Sequence, residues 1–130
     1  MAAARALLRA VAPWKKTRSQ MERALGAFTG KVAAAARRPL DFAGRYGGEE
    51  FAIILPETRI KQAVRAAERL RAALDAAPLA VDDRTIRLTA SFGVDCFCAD
   101  EDVTAEAFVH RTDRFVYEAK NSGRNRVCYD

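Results

Sequence analysis

The sequence predicts an α+β fold in which helices pack against a largely antiparallel sheet. The predicted elements run in the order helix, strand, strand, helix, strands, helix, strand. A Gly-Gly turn between two apolar runs predicts a β-hairpin, and apolar residues at helical spacing predict amphipathic helices. The length of 130 residues suits one domain with one ordinary core.

Each predicted element has a local signal. Ser19 and Glu22 form a capping box that starts the first helix, and Pro39 ends it at about residue 37. Thr104 caps the last helix, whereas Gly93 inside a strand indicates close backbone packing. The later elements are strands over 41–46 and 51–55, a helix over 58–76, a hairpin of 79–81 and 85–88, a strand over 89–97, a helix over 104–121 and a strand over 126–129.

The N-terminal segment, residues 1–18, shows no clear organisation. Pro13 would break a helix that started at Ala2. Residues 1–39 carry nine Lys or Arg against one acid, a net charge of +8, while residues 40–130 carry thirteen against sixteen, a net charge of −3. We therefore expect an unorganised basic segment over 1–18 and a partial globular domain over 19–130. The early composition, rich in Ala and Arg, is also that of a transit peptide.

Composition argues against several classes of protein. No run is long and apolar enough to span a membrane, since Arg5 and Arg9 interrupt the most apolar early stretch. The three cysteines are odd in number and show no disulfide framework, so we expect small buried side chains in a reducing compartment. We expect a cytoplasmic location and no nucleic-acid partner.

The motif of greatest chemical interest is Gly47-Gly48-Glu49-Glu50. Glycine permits a positive φ and lets a ligand approach the backbone closely. Two adjacent carboxylates offer the hard oxygen ligands with which Mg²⁺ is held beside substrate phosphates. Taken alone, the motif is more typical of a solvated acidic hairpin, because short motif matches are often accidental.

Five motifs in register extend this signal. They are Arg38-Pro39-Leu40-Asp41, Arg45-Tyr46-Gly47-Gly48-Glu49-Glu50-Phe51 with Leu55-Pro56, Ala67-Glu68-Arg69-Leu70-Arg71, Leu88-Thr89-Ala90-Ser91-Phe92-Gly93-Val94 and Tyr117-Glu118-Ala119-Lys120-Asn121-Ser122-Gly123-Arg124-Asn125. With these motifs, residues 38–130 resemble the GGDEF domain of diguanylate cyclases, in the variant spelled Gly-Gly-Glu-Glu-Phe. The resemblance implies a ferredoxin-like, polymerase-palm-type fold.

The resemblance also implies a reaction. Diguanylate cyclases join two GTP molecules into cyclic di-GMP and release two diphosphates, and Mg²⁺ offsets charge at the reacting phosphate. By resemblance, Glu49 is the metal ligand and helps to deprotonate the attacking hydroxyl, and Glu50 assists beside it. The backbone at Gly47 and Gly48 borders the phosphates.

Two further groups of residues match the family. Lys120 and Arg124 match its phosphate-binding pair; on their own, two cations four apart at a helix end are more typical of a solvated turn. Arg38 and Asp41, with Arg69 on the following helix, match the inhibitory site that binds cyclic di-GMP. An arginine can fork onto phosphate or guanine, and an aspartate can accept from guanine N–H groups. Without the family, Arg38 and Asp41 are an exposed charge pair.

The chain departs from the family upstream of residue 38. Active members carry an aspartate-rich strand that supplies a metal ligand, a phosphate-binding lysine and guanine-binding side chains. No aspartate precedes Asp41, and no asparagine precedes Asn121. We therefore expect the first strand to be missing, Mg²⁺ to be held poorly and a sheet edge to be unpaired. A truncated, frameshifted or misplaced start would explain this, and upstream DNA in another frame would then encode the strand.

Three functions remain open on this evidence. The first is a diguanylate cyclase, or part of one, that works as a homodimer with one GTP in each half-site. The second is a degenerate module that binds cyclic di-GMP through Arg38 and Asp41, and the third is an inert remnant. The motifs at 45–51 and 120–124 favour the first, and the Arg-x-x-Asp motif beside half an active site favours the second.

Overall fold

The computed structural model describes residues 2–11, 18–47, 49–81, 83–98 and 100–130. These residues form a five-stranded sheet, a separate two-stranded hairpin and three helices. In chain order the elements are β1 (Ala2–Val11), α1 (Arg18–Ala35), β2 (Phe42–Gly47), β3 (Glu50–Leu55), α2 (Ile60–Ala76), β4 (Leu79–Val81), β5 (Arg84–Ile86), β6 (Thr89–Cys98), α3 (Ala105–Asn121) and β7 (Val127–Tyr129).

The five-stranded sheet has the order β2-β3-β1-β6-β7. β1 lies at its centre, antiparallel to β3 on one side and to β6 on the other. β2 and β3 form the antiparallel hairpin, and β7 runs parallel to β6 at the far edge. β4 and β5 pair with each other and with no further strand among the described residues. The predicted α+β class with a largely antiparallel sheet is confirmed.

The expectation that the first strand is missing is wrong. β1 pairs with β6 over ten residues, from Ala2 opposite Cys98 to Val11 opposite Thr89. A strand forms here without the family's aspartates because a central strand is held by backbone hydrogen bonds on both sides. The expected unpaired edge is filled by β1.

The segment described as unorganised is therefore a strand over residues 2–11. Arg5 and Arg9 are four residues apart and fall on one face of β1, which leaves the intervening even-numbered positions, all Ala or Leu, for the other face. Pro13 lies outside the described residues. The division of the chain at residue 18 stays a prediction. The expectation that upstream DNA in another frame encodes an aspartate-rich strand also stays a prediction.

One face of the sheet packs against α1 and α2. The ring of Phe28 on α1 lies 4.9 Å from that of Phe51 on β3. The buried core on this face includes Val32, Ile53, Leu70, Leu74, Phe92 and Val94. Burial of each large apolar side chain contributes about 1.5–3 kcal/mol, so this cluster is the main source of stability.

The opposite face is covered by α3, because alternate residues of a strand face opposite ways. Val116 of α3 packs with Ala52 of β3. A Cβ added at Gly93 would lie 2.4 Å from the carbonyl oxygen of Thr112 and 2.6 Å from the amide nitrogen of Val116. Only glycine lets the helix backbone lie this close to β6, which confirms the predicted role of Gly93.

The helix ends agree with the sequence in part. Thr104 Oγ1 accepts a hydrogen bond from the amide of Ala107 at 3.0 Å, as predicted for the cap of α3. Gly123, with φ 125°, follows the end of that helix. The two other helices differ slightly, since α1 begins one residue before Ser19 and α2 begins two residues after Thr58.

Two predictions from composition have structural counterparts. No described helix is long and apolar enough to cross a membrane. The three cysteines are free, but Cys98 is exposed, and Cys96 and Cys128 are half-buried. The prediction that all three are buried is therefore wrong.

Candidate functional site

The turn between β2 and β3 carries the acidic motif. Gly47 pairs with Glu50, and the register shifts between Arg45 and Gly47, as at a β-bulge. Glu49 is exposed and Glu50 is half-buried. Gly48 lies outside the described residues. Glu49 and Glu50 thus stand at the end of the hairpin, at the point where a ligand could approach.

Glu50 also faces the central strand. Its Cα partner on β1 is Arg9, and the Cα partner of Arg9 on β6 is Ser91. Directly opposite residues of neighbouring strands share one face of a sheet. Glu50, Arg9 and Ser91 therefore form one row across three strands, on the face covered by α3. We call this row, together with Glu49, the turn corner.

Ser91 is the buried member of the turn corner. It is 0% exposed, and its Oγ has no hydrogen-bond partner among the described residues. A buried hydroxyl without a partner costs about 1–3 kcal/mol. The row therefore contains a polar group that an additional hydrogen-bonding group would stabilise.

The end of α3 lies towards the turn corner. Arg111 on the second turn of α3 has its Nε 2.8 Å from Oδ2 of Asp95, and Val116, further along the helix, contacts Gly93. α3 therefore runs antiparallel to β6, and the last turn of α3 lies towards the row that contains Ser91. Lys120 is in that last turn and is half-buried.

Arg124 follows α3 in the left-handed region, with φ 61°. Its amide donates to the carbonyl of Ala119 at 2.8 Å, which closes the helix end, and its side chain is exposed. Lys120 and Arg124 therefore both belong to one helix terminus. Their role in binding phosphate stays a prediction.

Glu49 and Glu50 are the two carboxylates that the turn corner offers as possible Mg²⁺ ligands. Mg²⁺ takes oxygen ligands in octahedral geometry, usually one or two carboxylates with substrate phosphates and water. No group of three or more His, Cys, Asp or Glu that could hold a metal occurs in the part of the chain that the structure describes. Opposite Glu50 the central strand carries Arg9, and β1 contains no acid. Glu49, the predicted ligand, thus gains no acidic partner from β1.

The second site lies where α1 leads into β2. Nε and Nη2 of Arg38 donate to Oδ1 of Asp41 at 3.0 and 2.8 Å, and the amide of Arg38 donates to Oδ2 at 3.0 Å. Nη2 also donates to the carbonyl of Pro56 at 3.0 Å and to Oγ1 of Thr58. The Asp41 side chain is 4% exposed, whereas that of Arg38 is 49% exposed. Asp41 is therefore buried and fixed by hydrogen bonds, whereas the side chain of Arg38 is accessible to a ligand.

The charge state of this pair follows from its contacts. Burial pushes the pKa of Asp41 upwards, but the hydrogen bonds from Arg38 outweigh burial and hold that pKa below its ordinary value. The hydrogen bond to Asp41 raises the pKa of Arg38. Both groups are charged at neutral pH, so Asp41 holds a permanently cationic guanidinium in place.

Arg69, which the family resemblance groups with this pair, lies along the same groove. The groove has a volume of about 340 Å³, lies between α1 and α2, and is also lined by Arg38 and Asp41. Gln62 and Arg65 line the same groove and were missed. They precede Arg69 by seven and four residues, so helical spacing places all three on one face of α2 and could have indicated them from the sequence. We call Arg38, Asp41, Arg65 and Arg69 the helix-end corner.

Comparison with known proteins identifies relatives for most of the chain. The family model described as diguanylate cyclase, GGDEF domain, matches residues 19–126. Diguanylate cyclase A of Treponema denticola is 38% identical over 97 residues, which are 75% of this chain and 26% of that protein. The response regulator PleD of Caulobacter vibrioides is 42% identical over 92 residues, 69% of this chain and 20% of that protein. The chain thus spans about a quarter or less of these curated relatives.

Solved structures share the fold over nearly the whole chain. The active GGEEF domain of a diguanylate cyclase from Vibrio cholerae superposes with a TM-score of 0.84 at 23% identity, over 98% of this chain and 82% of that chain. This coverage extends beyond the 108 residues of the family match, so the fold similarity includes the N-terminal part of the chain.

Proposed function

The chain belongs to the GGDEF domain family of diguanylate cyclases, and from this premise we propose that it binds cyclic di-GMP at Arg38 and Asp41 rather than making it. The observation that carries the proposal is the difference between the two corners. The helix-end corner has a formed Arg38–Asp41 pair beside a groove. The turn corner has Arg9 opposite Glu50 where an active member has an acidic strand.

The helix-end corner matches the chemistry of a cyclic dinucleotide. Arg38 is held through Nε and Nη2, while its Nη1 makes no hydrogen bond within the described part of the chain. That edge can donate to a phosphate oxygen or to the acceptors of guanine. Arg65 and Arg69 add positive charge along the groove. Asp41 is used by Arg38, so it accepts from guanine only if Arg38 shifts.

Arg38→Ala tests the proposal by calorimetric titration with cyclic di-GMP. We expect its affinity to fall roughly ten- to a hundredfold, because a hydrogen bond to a charged group is worth about 1.5–3 kcal/mol. Arg87→Ala is the matched control, since it removes an exposed arginine that pairs with Asp75 outside the groove. Unchanged binding in Arg38→Ala, or no binding by the folded wild-type chain, would overturn the proposal.

Cyclase activity is the second candidate. The acidic turn favours it, as does the position of Lys120 towards the same corner. It requires two copies of the chain, each holding one GTP. Incubation with GTP and Mg²⁺, followed by chromatography, distinguishes the candidates. Cyclic di-GMP formed by the wild type and not by Glu49→Ala would replace the binding-only proposal with an enzyme.

A further inference from the structure

A cavity of about 670 Å³ lies at the end of β6 that is far from the turn corner. The pairing of β7 with β6 ends at Val94, so the rest of β6 extends beyond β7, and Cys96 and Cys98 in this part line the cavity. Among the described residues, it shares no lining residue with the groove of the helix-end corner. We propose that the two thiols together bind one soft metal ion of the Cu(I) type. The proposal does not depend on cyclic di-GMP binding at Arg38.

The first argument is the spacing of the two cysteines. β6 is paired with β1 as far as Cys98, which keeps the backbone extended and directs the side chains of Cys96 and Cys98 to one face of the sheet. A rise of about 3.4 Å per residue separates their Cα atoms by about 6.8 Å. A disulfide needs Cβ atoms about 3.5–4.5 Å apart, so the pair cannot form one without leaving the strand. Two metal–sulfur bonds of about 2.3 Å in line place the sulfur atoms about 4.6 Å apart, which this separation allows.

The second argument is the placement of each thiol. Cys96 is half-buried, and its Sγ donates to the carbonyl oxygen of Thr58 at 3.4 Å. Cys98 is exposed, and its amide donates to Oε1 of Glu101 at 3.4 Å. One thiol is therefore fixed in the wall of the cavity, and the other is reachable from solvent. A metal ion can bind first at Cys98 and then at Cys96.

The third argument is the charge around the cavity. Three acids, Glu57, Asp95 and Asp130, line it together with one base, Arg59. Asp95 is already paired, since its Oδ2 lies 2.8 Å from Nε of Arg111. The two other acids outnumber the single base of the lining, so the electrostatic potential in the cavity favours a cation over an anion.

The donor set indicates which kind of metal fits. No group of three or more His, Cys, Asp or Glu that could hold a metal occurs among the residues that the structure describes. Structural Zn²⁺ sites use four protein ligands, so this pair does not supply one. Thiolates select soft ions such as Cu(I), for which two sulfur atoms in line are sufficient. Each thiol releases its proton to solvent as its sulfur binds the ion, so the loaded pair carries one negative charge.

The test is a titration of the reduced chain with Cu(I), in competition with a coloured Cu(I) chelator. We expect one ion per chain in the wild type and loss of this binding in both Cys96→Ser and Cys98→Ser. Cys128→Ser is the matched control, because Cys128 is also free and half-buried but is not one of the described residues that line the cavity. Its binding should equal that of the wild type. Circular dichroism establishes that each variant is folded.

Two further measurements sharpen the test. Cys98→Ser keeps the proposal testable if Cys96→Ser does not fold, because Cys98 is exposed. X-ray absorption of the copper-loaded wild type should show two sulfur neighbours, and light scattering should show that loading leaves the number of chains per particle unchanged. Four results would overturn the proposal: equal losses in all three cysteine variants, binding of Zn²⁺ as tight as that of Cu(I), one ion shared between two chains, or no binding by folded protein.

Discussion

The helix-end corner and the turn corner lie at opposite ends of the β2–β3 hairpin and are built in different ways. Arg38 and Asp41 are three residues apart and bind each other directly. Glu50 lies opposite Arg9 on the neighbouring strand, and Arg9 lies opposite Ser91 on the strand beyond it. Arg9 and Ser91 are each 41 residues from Glu50 along the chain, one before it and one after it. A site formed by residues close together in the sequence is not altered by substitutions in a distant strand. A site formed by residues from three strands is altered when the sequence of any one of those strands changes.

The largest expected effect is a loss of stability at the contact between β6 and α3. Gly93→Ala forces a Cβ against the backbone of Thr112 and Val116, which we expect to cost about 3 kcal/mol of unfolding free energy in urea. Because no residue of α3 lines the groove beside Arg38, cyclic di-GMP binding by the remaining folded protein should persist. Loss of cyclic di-GMP binding by the folded variant would show that the helix-end corner depends on the position of α3.

Gly26→Ala provides the control for a glycine substitution. Gly26 lies within α1, and a Cβ added there has nothing within 4 Å. We expect a gain of about 0.5–1 kcal/mol, since alanine is the better helix former. A loss of stability in this variant would mean that the effect at Gly93 is not specific to the contact with α3.

A smaller effect concerns the helix-end corner and pH. The pKa of Asp41 in the folded protein is below its value in the unfolded chain. Its contribution to the free energy of unfolding is therefore complete above the unfolded pKa, about 4, and is lost as the pH falls through the folded pKa. We expect Asp41→Asn to cost about 1–2 kcal/mol at pH 7 in urea unfolding. The difference from wild type should shrink as the pH is lowered below about 4. A difference that does not vary with pH would exclude the ion pair as its cause.

The smallest effect lies far from both corners. Thr104→Ala removes the N-cap of α3, at the end of the helix away from Lys120. We expect a loss of about 1 kcal/mol in urea unfolding. The affinity for cyclic di-GMP should stay within about twofold of wild type, since less than about 0.5 kcal/mol would reach the helix-end corner. A larger change in this affinity would show that the helix-end corner depends on α3.

Much of the fold was predictable because its signals are local. The hairpin, the cap at Thr104, the close approach at Gly93 and the amphipathic α2 each depend on a few neighbouring residues. Arg38, Asp41 and Arg69 were grouped by the family resemblance, and the structure places all three along one groove. Gln62 and Arg65 were within reach of the same reasoning.

The central strand was not predictable in this way. Its residues, Ala2–Val11, are mostly alanine and leucine with two arginines, a composition that indicates no particular structure on its own. The strand forms because β3 and β6 each offer it a complete row of backbone partners. Such pairing depends on residues far away in the chain, and tertiary context overrides weak local propensity.

The amino-acid sequence by itself determined the α+β class, because local patterns carry it, and indicated the family and the pair at Arg38 and Asp41 through motifs that match the family in order and spacing. Only the tertiary structure decided that β1 exists and that Arg9 lies opposite Glu50 and Ser91. The physical reason is that strand register joins residues without regard to their distance along the chain. Which residues stand in register with the acidic motif is therefore decided by pairing between strands.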